Sequence, residues 1–176
     1  VQLMMGKTKI KSYFVLNNNW IMPTPAKELS DTDIKDTAKE INELSQVAID
    51  SNKKVYYVST PHKESMLTHL YPKYTNGLEN ATNNKNKFKS YLDKNNIKFI
   101  DTGKDFLAKF NEKEREELYF KTDHHWNGIG AYEGVKSIIE NMDEVENVSW
   151  NNYTKTIFDK GYFLGSYNMN LNKLVK

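Results

Sequence analysis

The chain has 176 residues, 38% hydrophobic and 12% aromatic, with 25 Lys+Arg against 23 Asp+Glu for a formal net charge of +2. Its aromatic content supplies enough apolar surface for a core and excludes wholesale disorder, and no run approaches the ~18 apolar residues a membrane span needs. The absence of cysteine excludes disulfide scaffolds, Cys-ligated zinc, iron–sulfur clusters and Cys nucleophiles. Arg115 is the lone arginine, the lysines follow no stripe, and a nucleic-acid partner is not expected. The length suits one domain over 1–176, and Val1 in place of an initiator Met reads as a mature or trimmed form. Composition alone leaves the compartment open.

In chain order, Ser12–Leu16 predicts a short strand, and Asn17-Asn18-Asn19 predicts a turn. Trp20-Ile21-Met22 follows, and Pro23 and Pro25 break regular structure. A helix is predicted from Ser30, with Ser30 and Asp33 as a capping box and Ile34, Ala38, Ile41, Leu44 and Ala48 at helical spacing, running to about Asp50. Val55-Tyr56-Tyr57-Val58 is apolar without alternation and predicts a strand covered on both faces. The polar stretch Tyr74–Asn86 predicts a surface loop, and Lys85–Asn95 a helix with Phe88, Tyr91 and Leu92 inward. Ile97–Ile100 reads as another strand, and Phe106, Leu107 and Phe110 as a helix whose solvated end or turn is Glu112–Glu117. The clearest helix is Gly128–Met142, N-capped by Asn127, with Ile129, Tyr132, Val135, Ile138, Ile139 and Met142 as its inward stripe. Residues 143–176 show no period. The alternation of helix and strand predicts an α/β fold with a mostly parallel sheet, although only two or three core strands are visible.

Half of the four histidines sit in Lys121-Thr122-Asp123-His124-His125-Trp126-Asn127-Gly128, an acid, two imidazoles and an indole immediately before a helix N-terminus. Three readings compete. In the first, Asp123 orients His125, which serves as general base to a hydroxyl nucleophile; two residues apart, an extended backbone puts them on one face. In the second, the acid and imidazoles bind a divalent metal, with His62 and His69 as the nearest supports. In the third, the segment is a helix-capping turn, Trp126 is core and the histidines merely hydrogen-bond. His62 follows Pro61 at a strand end, where a lone His is more often structural, and His69 reads as packing. Ser166 after Gly165 reads as a turn serine. No Gly-Asp-Ser and no Gly-x-Ser-x-Gly occurs, so the first reading lacks a nucleophile.

At these residues the sequence resembles the DHHW family of bacterial envelope proteins, which is similar to the SGNH-hydrolase-like domain of alginate O-acetylation proteins. The resemblance is carried by Tyr119–Asn127 and the helix after it. Thr60-Pro61-His62-Lys63-Glu64 resembles the family's Pro-x-Lys loop, and Leu70-Tyr71-Pro72 and Phe158–Ser166 look like further family segments. It implies a three-layer SGNH-like fold, with Asp123 as the orienting acid and His125 as the base; His124 falls at the variable position of Asp-x-His-Trp. It further implies a nucleophilic serine in a later Gly-Asp-Ser-like turn. The chain stops at Lys176 without one, so the expectation is a fragment lacking its C-terminal part, or a member that is not a serine hydrolase. The implied chemistry is O-acyl transfer or acetyl-ester hydrolysis at cell-envelope polysaccharide hydroxyls, without a cofactor. An extracytoplasmic location and a membrane-bound O-acyltransferase partner are implied as well. The rivals are a non-catalytic glycan-binding domain of the same fold and a metal-dependent phosphoesterase.

Overall fold

Three short strands, β1 (Lys9–Ile10), β2 (Tyr13–Val15) and β3 (Ile21–Pro23), form an antiparallel meander paired Phe14 to Met22 and Val15 to Ile21. Its tight links place Lys11, Asn18 and Asn19 at positive φ, a conformation Asn tolerates better than most residues. Alternation along the strands sends Phe14 and Met22 to one cluster, with Trp20, Met66, Leu67 and Phe106, and sends Val15 and Ile21 to another, with Tyr167 and Leu171. The computed structural model describes residues 8–94, 96–143, 145, 148–150, 154, 156 and 163–172. The part of the resembling segment at 158–162 lies outside the described residues.

Helix α1 (Asp31–Asp50) starts where expected: the Ser30 hydroxyl accepts from the Asp33 N–H at 3.1 Å. Ile34 and Ala38 are buried, whereas Leu44, part of the same predicted stripe, is exposed. Strand β4 (Val55–Ser59) pairs in parallel with β5 (Ile97–Asp101), Val55 opposite Ile97 and Ser59 opposite Asp101. One face of the pair packs Ile97, Val55, Tyr57 and Phe99 against Ala38 and Leu92, and the buried Ile100 points to the other. The fold is α/β. The expectation of a mostly parallel sheet is met only by β4 and β5; the other described strands are antiparallel, because residues 8–23 are joined by turns too short for a parallel crossover.

The chain between β4 and β5 forms the short helix α2 (Lys63–Met66) and then α3 (Asn80–Tyr91). The predicted loop Tyr74–Asn86 is therefore helical in its second half. The sequence hid this because the helix is held by amides rather than by an apolar period. Asn80 donates to the Ala26 carbonyl at 3.0 Å, and Asn84 donates to Lys27 and accepts from Leu29. After β5 come α4 (Thr102–Lys109), then α5 (Glu112–Glu116), which has a reciprocal cap between Asn111 and Glu114, and α6 (Gly128–Asn141). Asn127 caps α6 as predicted, accepting from Ile129 and Gly130 N–H.

The inward face of α6 is not the predicted stripe. Tyr132 and Val135 are 41% and 49% exposed, and the buried residues of the helix are Gly130, Gly134 and Ser137. The small side lies against Leu118 and Trp126, close enough that a Cβ on Gly130 would fall 2.1 Å from the Leu118 carbonyl oxygen. A last short helix, α7 (Ser166–Asn170), packs on β3.

Candidate active site

The carboxyl end of β4 delivers Pro61, His62 and Lys63 to the turn 119–127, an arrangement in keeping with α/β folds, whose sites lie beyond the strand ends. The turn is tied on several sides. Asn127 N–H donates to the Leu118 carbonyl, Phe120 N–H to that of His125, and Ile21 N–H to that of Lys121. The Trp126 indole N–H donates to the Tyr119 hydroxyl at 3.0 Å, and that hydroxyl donates to the Pro61 carbonyl at 2.9 Å. Burial pushes the Tyr119 phenol up, so it stays a neutral donor.

Asp123 sits at the centre. Oδ1 accepts from the His125 backbone N–H at 2.9 Å and from His125 Nδ1 at 2.6 Å; Oδ2 accepts from the Ser166 backbone N–H at 2.6 Å. Burial pushes the carboxyl up, but the hydrogen bonds from Ser166 and His125 outweigh it and hold the group well below the usual carboxylate range. It is an anion at any working pH. The backbone here is a local side-chain-to-backbone turn and not the extended segment expected; the two-residue spacing works because the Asp side chain folds back onto the N–H two residues on.

The partners differ sharply in exposure: the Asp123 side chain is 4% exposed and the His125 side chain 66%. With Nδ1 donating to the carboxylate, the neutral ring carries its proton there and leaves the Nε2 lone pair free. The His124 ring lies against that of His125, tilted by 38° with 3.7 Å between centroids, and has Nδ1 3.2 Å from the Ser166 hydroxyl.

The loop bearing Ser166 is fixed by Gly165, whose φ is +69° and whose Cβ, if present, would lie 2.2 Å from the Thr122 carbonyl oxygen. Ser166, read from sequence as a turn serine, thus supplies its backbone N–H to the buried carboxylate.

Two residues at the site were undervalued in the sequence. His62 Nε2 is 3.1 Å from the Tyr167 hydroxyl, and its ring faces His124 at 6.2 Å. Burial, then the neighbouring His124, Lys63 and His125 charges, pulls its pKa down to about 4, so it is neutral. Lys63 is fully buried and its ammonium donates to the Phe120, Lys121 and Asp123 carbonyls. The available signals were position, just past a strand end, and the resemblance of Pro61-His62-Lys63 to a Pro-x-Lys loop. His69, read from sequence as packing, lies apart and is hydrogen-bonded to Glu116 at 3.0 Å. Among the described residues, the group whose ligand atoms lie within 4.8 Å of one another is Asp123, His124 and His125, which could hold a metal; the expected supports His62 and His69 are not in it.

A sequence profile described as "SGNH hydrolase-like domain, acetyltransferase AlgX" matches residues 18–169. The alginate biosynthesis protein AlgX of Pseudomonas aeruginosa is 44% identical over 41 residues, covering 23% of this chain and 9% of that protein. The structure of PatB1 from Bacillus cereus superposes with a TM-score of 0.72 at 27% identity, over 82% of this chain and 48% of that one. PatB1 with a sulfonyl adduct gives a TM-score of 0.77 at 25% identity, over 86% and 52%. The chain therefore spans about half the length of these solved structures. With that profile covering most of its length, the chain belongs to the family of SGNH hydrolase-like domains of the AlgX acetyltransferase type.

Proposed function

We propose that residues 1–176 are one SGNH-like domain bearing the acid–base pair of an O-acyltransferase or acetylesterase that acts on cell-envelope polysaccharide hydroxyls. In this reading the Asp-His-His-Trp segment places the chain in the DHHW group, the β4–β5 pair is part of a larger parallel sheet, and the protein works outside the cytoplasm with a membrane-bound acyltransferase. The observation that carries the reading is the 2.6 Å contact between His125 Nδ1 and a buried, ionised Asp123, on a ring whose other face is open. Relatives add support: AlgX is named for alginate, a polysaccharide, and a PatB1 structure holds a sulfonyl adduct, the product expected of an activated nucleophile.

The chemistry runs as follows. His125 Nε2 takes the proton of a serine hydroxyl as its oxygen attacks the acyl carbonyl. The imidazolium formed is stabilised by Asp123, which stays ionised. Nε2 then returns the proton to the departing alkoxide, and the acyl-serine passes its acyl group to a sugar hydroxyl or water by the reverse sequence. Ser166 is not assigned as that serine: its hydroxyl contacts His124 and its N–H is committed to Asp123.

Acetyl-ester hydrolysis by wild type and His125→Ala tests the reading. A loss of about 10²–10⁴ in kcat is expected; an unchanged rate removes His125 from the mechanism. Glycan binding without turnover would favour a binding domain. Activity abolished by a chelator and restored by zinc or manganese would transfer Asp123, His124 and His125 to a metal site.

A further inference from the structure

We infer that Lys63 is the positioning residue of the Asp123–His125 pair: its buried ammonium spends its N–H donors on the backbone that presents the carboxylate. This rests on the reading of Asp123 and His125 given above. The side chain is 0% exposed. Nζ lies 3.1 Å from the Phe120 carbonyl oxygen, 3.0 Å from that of Lys121 and 2.7 Å from that of Asp123. An ammonium has three N–H donors and no acceptor, so donor count and carbonyl count match. The carbonyls belong to the residues that lead into, and include, the orienting acid. Carbonyls cannot satisfy one another; that of Lys121 also accepts from the Ile21 N–H, so the turn leans on Lys63 most at the Phe120 and Asp123 carbonyls.

The surroundings are built for a cation. The Trp20 and Tyr167 rings face Nζ at 5.1 and 5.2 Å between nitrogen and centroid, within the range of cation–π attraction. The polar acceptors are carbonyls, not carboxylates, so the ammonium brings net positive charge close to Asp123 and helps keep it ionised. Burial pulls the pKa of Lys63 down to about 7, and the Asp123 carboxylate opposes that shift. An apolar side chain of similar length would fill the space without that cost but could not hold the carbonyls. Lys63 also follows the strand end closely, after Thr60, Pro61 and His62, so its ammonium joins the parallel sheet to the turn, beside the Tyr119 hydroxyl that donates to the Pro61 carbonyl.

The readout is the His125 tautomer, which depends on the placement of the Asp123 carboxylate and does not require turnover. Nitrogen NMR of the wild type should show the Nδ1–H form in about tenfold or greater excess over Nε2–H. In Lys63→Met, shown to be folded by circular dichroism, the ratio should fall to about one or below. Ester hydrolysis should lose at least about tenfold in kcat, with KM within about twofold. An unchanged tautomer ratio in the folded variant overturns the inference.

A second route covers an unstable Met variant. The chain has no cysteine, so Lys63→Cys can be aminoethylated at one site, restoring an ammonium at nearly lysine length. Recovery of the Nδ1–H excess on aminoethylation supports the inference; a folded, aminoethylated protein without recovery overturns it. A wild type with the Nδ1–H excess but no ester turnover would sink the enzymatic reading and leave the tautomer comparison intact.

Discussion

The turn 119–127 and helix α6 beside it invert the usual relation between polarity and burial. The turn carries Asp123, which is buried, and rests on Lys63, which is buried as well; α6 carries Tyr132 and Val135, which are substantially exposed. In the turn, buried polar atoms are placed by named partners, so direction is fixed atom by atom. In the helix, contact is made by Gly130, Gly134 and Ser137, so what matters is the absence of bulk. Function should therefore fail through the turn by loss of a hydrogen-bond acceptor, and stability should fail through the helix by gain of a methyl.

The first half of that comparison breaks most visibly at Asp123. In Asp123→Asn one carboxylate oxygen becomes an NH₂. Either the Ser166 N–H or His125 Nδ1–H then meets a donor in place of an acceptor. Turning the amide oxygen towards Ser166 leaves His125 in the wrong tautomer. We expect kcat for acetyl-ester hydrolysis to fall by roughly 10²–10⁴ while the variant remains folded. An Asn variant with near wild-type kcat would mean that the 2.6 Å contact orients nothing.

The second half is sharpened at Gly130. The added methyl of Gly130→Ala meets the Leu118 carbonyl, which already accepts from Asn127 N–H and so cannot withdraw freely. The helix must move off the turn, at about 2–3 kcal/mol of unfolding free energy. Urea denaturation checks this; a variant as stable as wild type would show that the close approach is not required.

How much of this could be read in advance follows the same divide. The Asp-His-His-Trp segment, the Asn127 cap and the Ser30 cap were legible because each is a local pattern in which a side chain serves a backbone a few residues away. The first half of helix α3 was not, because Asn80 and Asn84 act on residues 26–29, more than fifty positions distant; its second half, from Lys85 to Tyr91, was expected from Phe88 and Tyr91. The Pro-x-Lys resemblance named Lys63 but not its role, for the same reason: its acceptors lie at 120–123, far along the chain. The α6 stripe was misread because periodicity identifies an apolar face without saying which face is covered.

His62 gives a smaller, titratable test of how the site is packed. Its pKa is about 4 in the fold against 6.5 ordinarily. Between these values the unfolded chain binds a proton that the fold does not. The stability due to the neutral ring is complete above pH 6.5 and is lost as the pH falls towards 4. The side chain is 39% exposed, so solvent screening reduces the loss to about 1 kcal/mol. Urea midpoints at pH 7.5 and pH 4.5 should show wild type losing that much more than His62→Gln, with both measured in a Glu64→Gln background because the Glu64 carboxylate, pushed up by burial, lies 3.7 Å from His62 Nδ1. Parallel slopes in the two proteins would contradict a desolvated His62.

The smallest effect is expected where the sequence looked most like core. Val135 belongs to the α6 stripe yet is 49% exposed. Serine and valine have similar helix propensities, so Val135→Ser isolates burial from backbone preference. A valine fully inside a core contributes roughly 1.5–3 kcal/mol through its burial, whereas a surface substitution stays within about 0.5 kcal/mol. We expect the latter. A loss near 2 kcal/mol would mean that this face is covered in the folded protein, and the contrast between a buried polar turn and an open apolar helix would have to be abandoned on the helix side, with Gly130 and the turn unaffected.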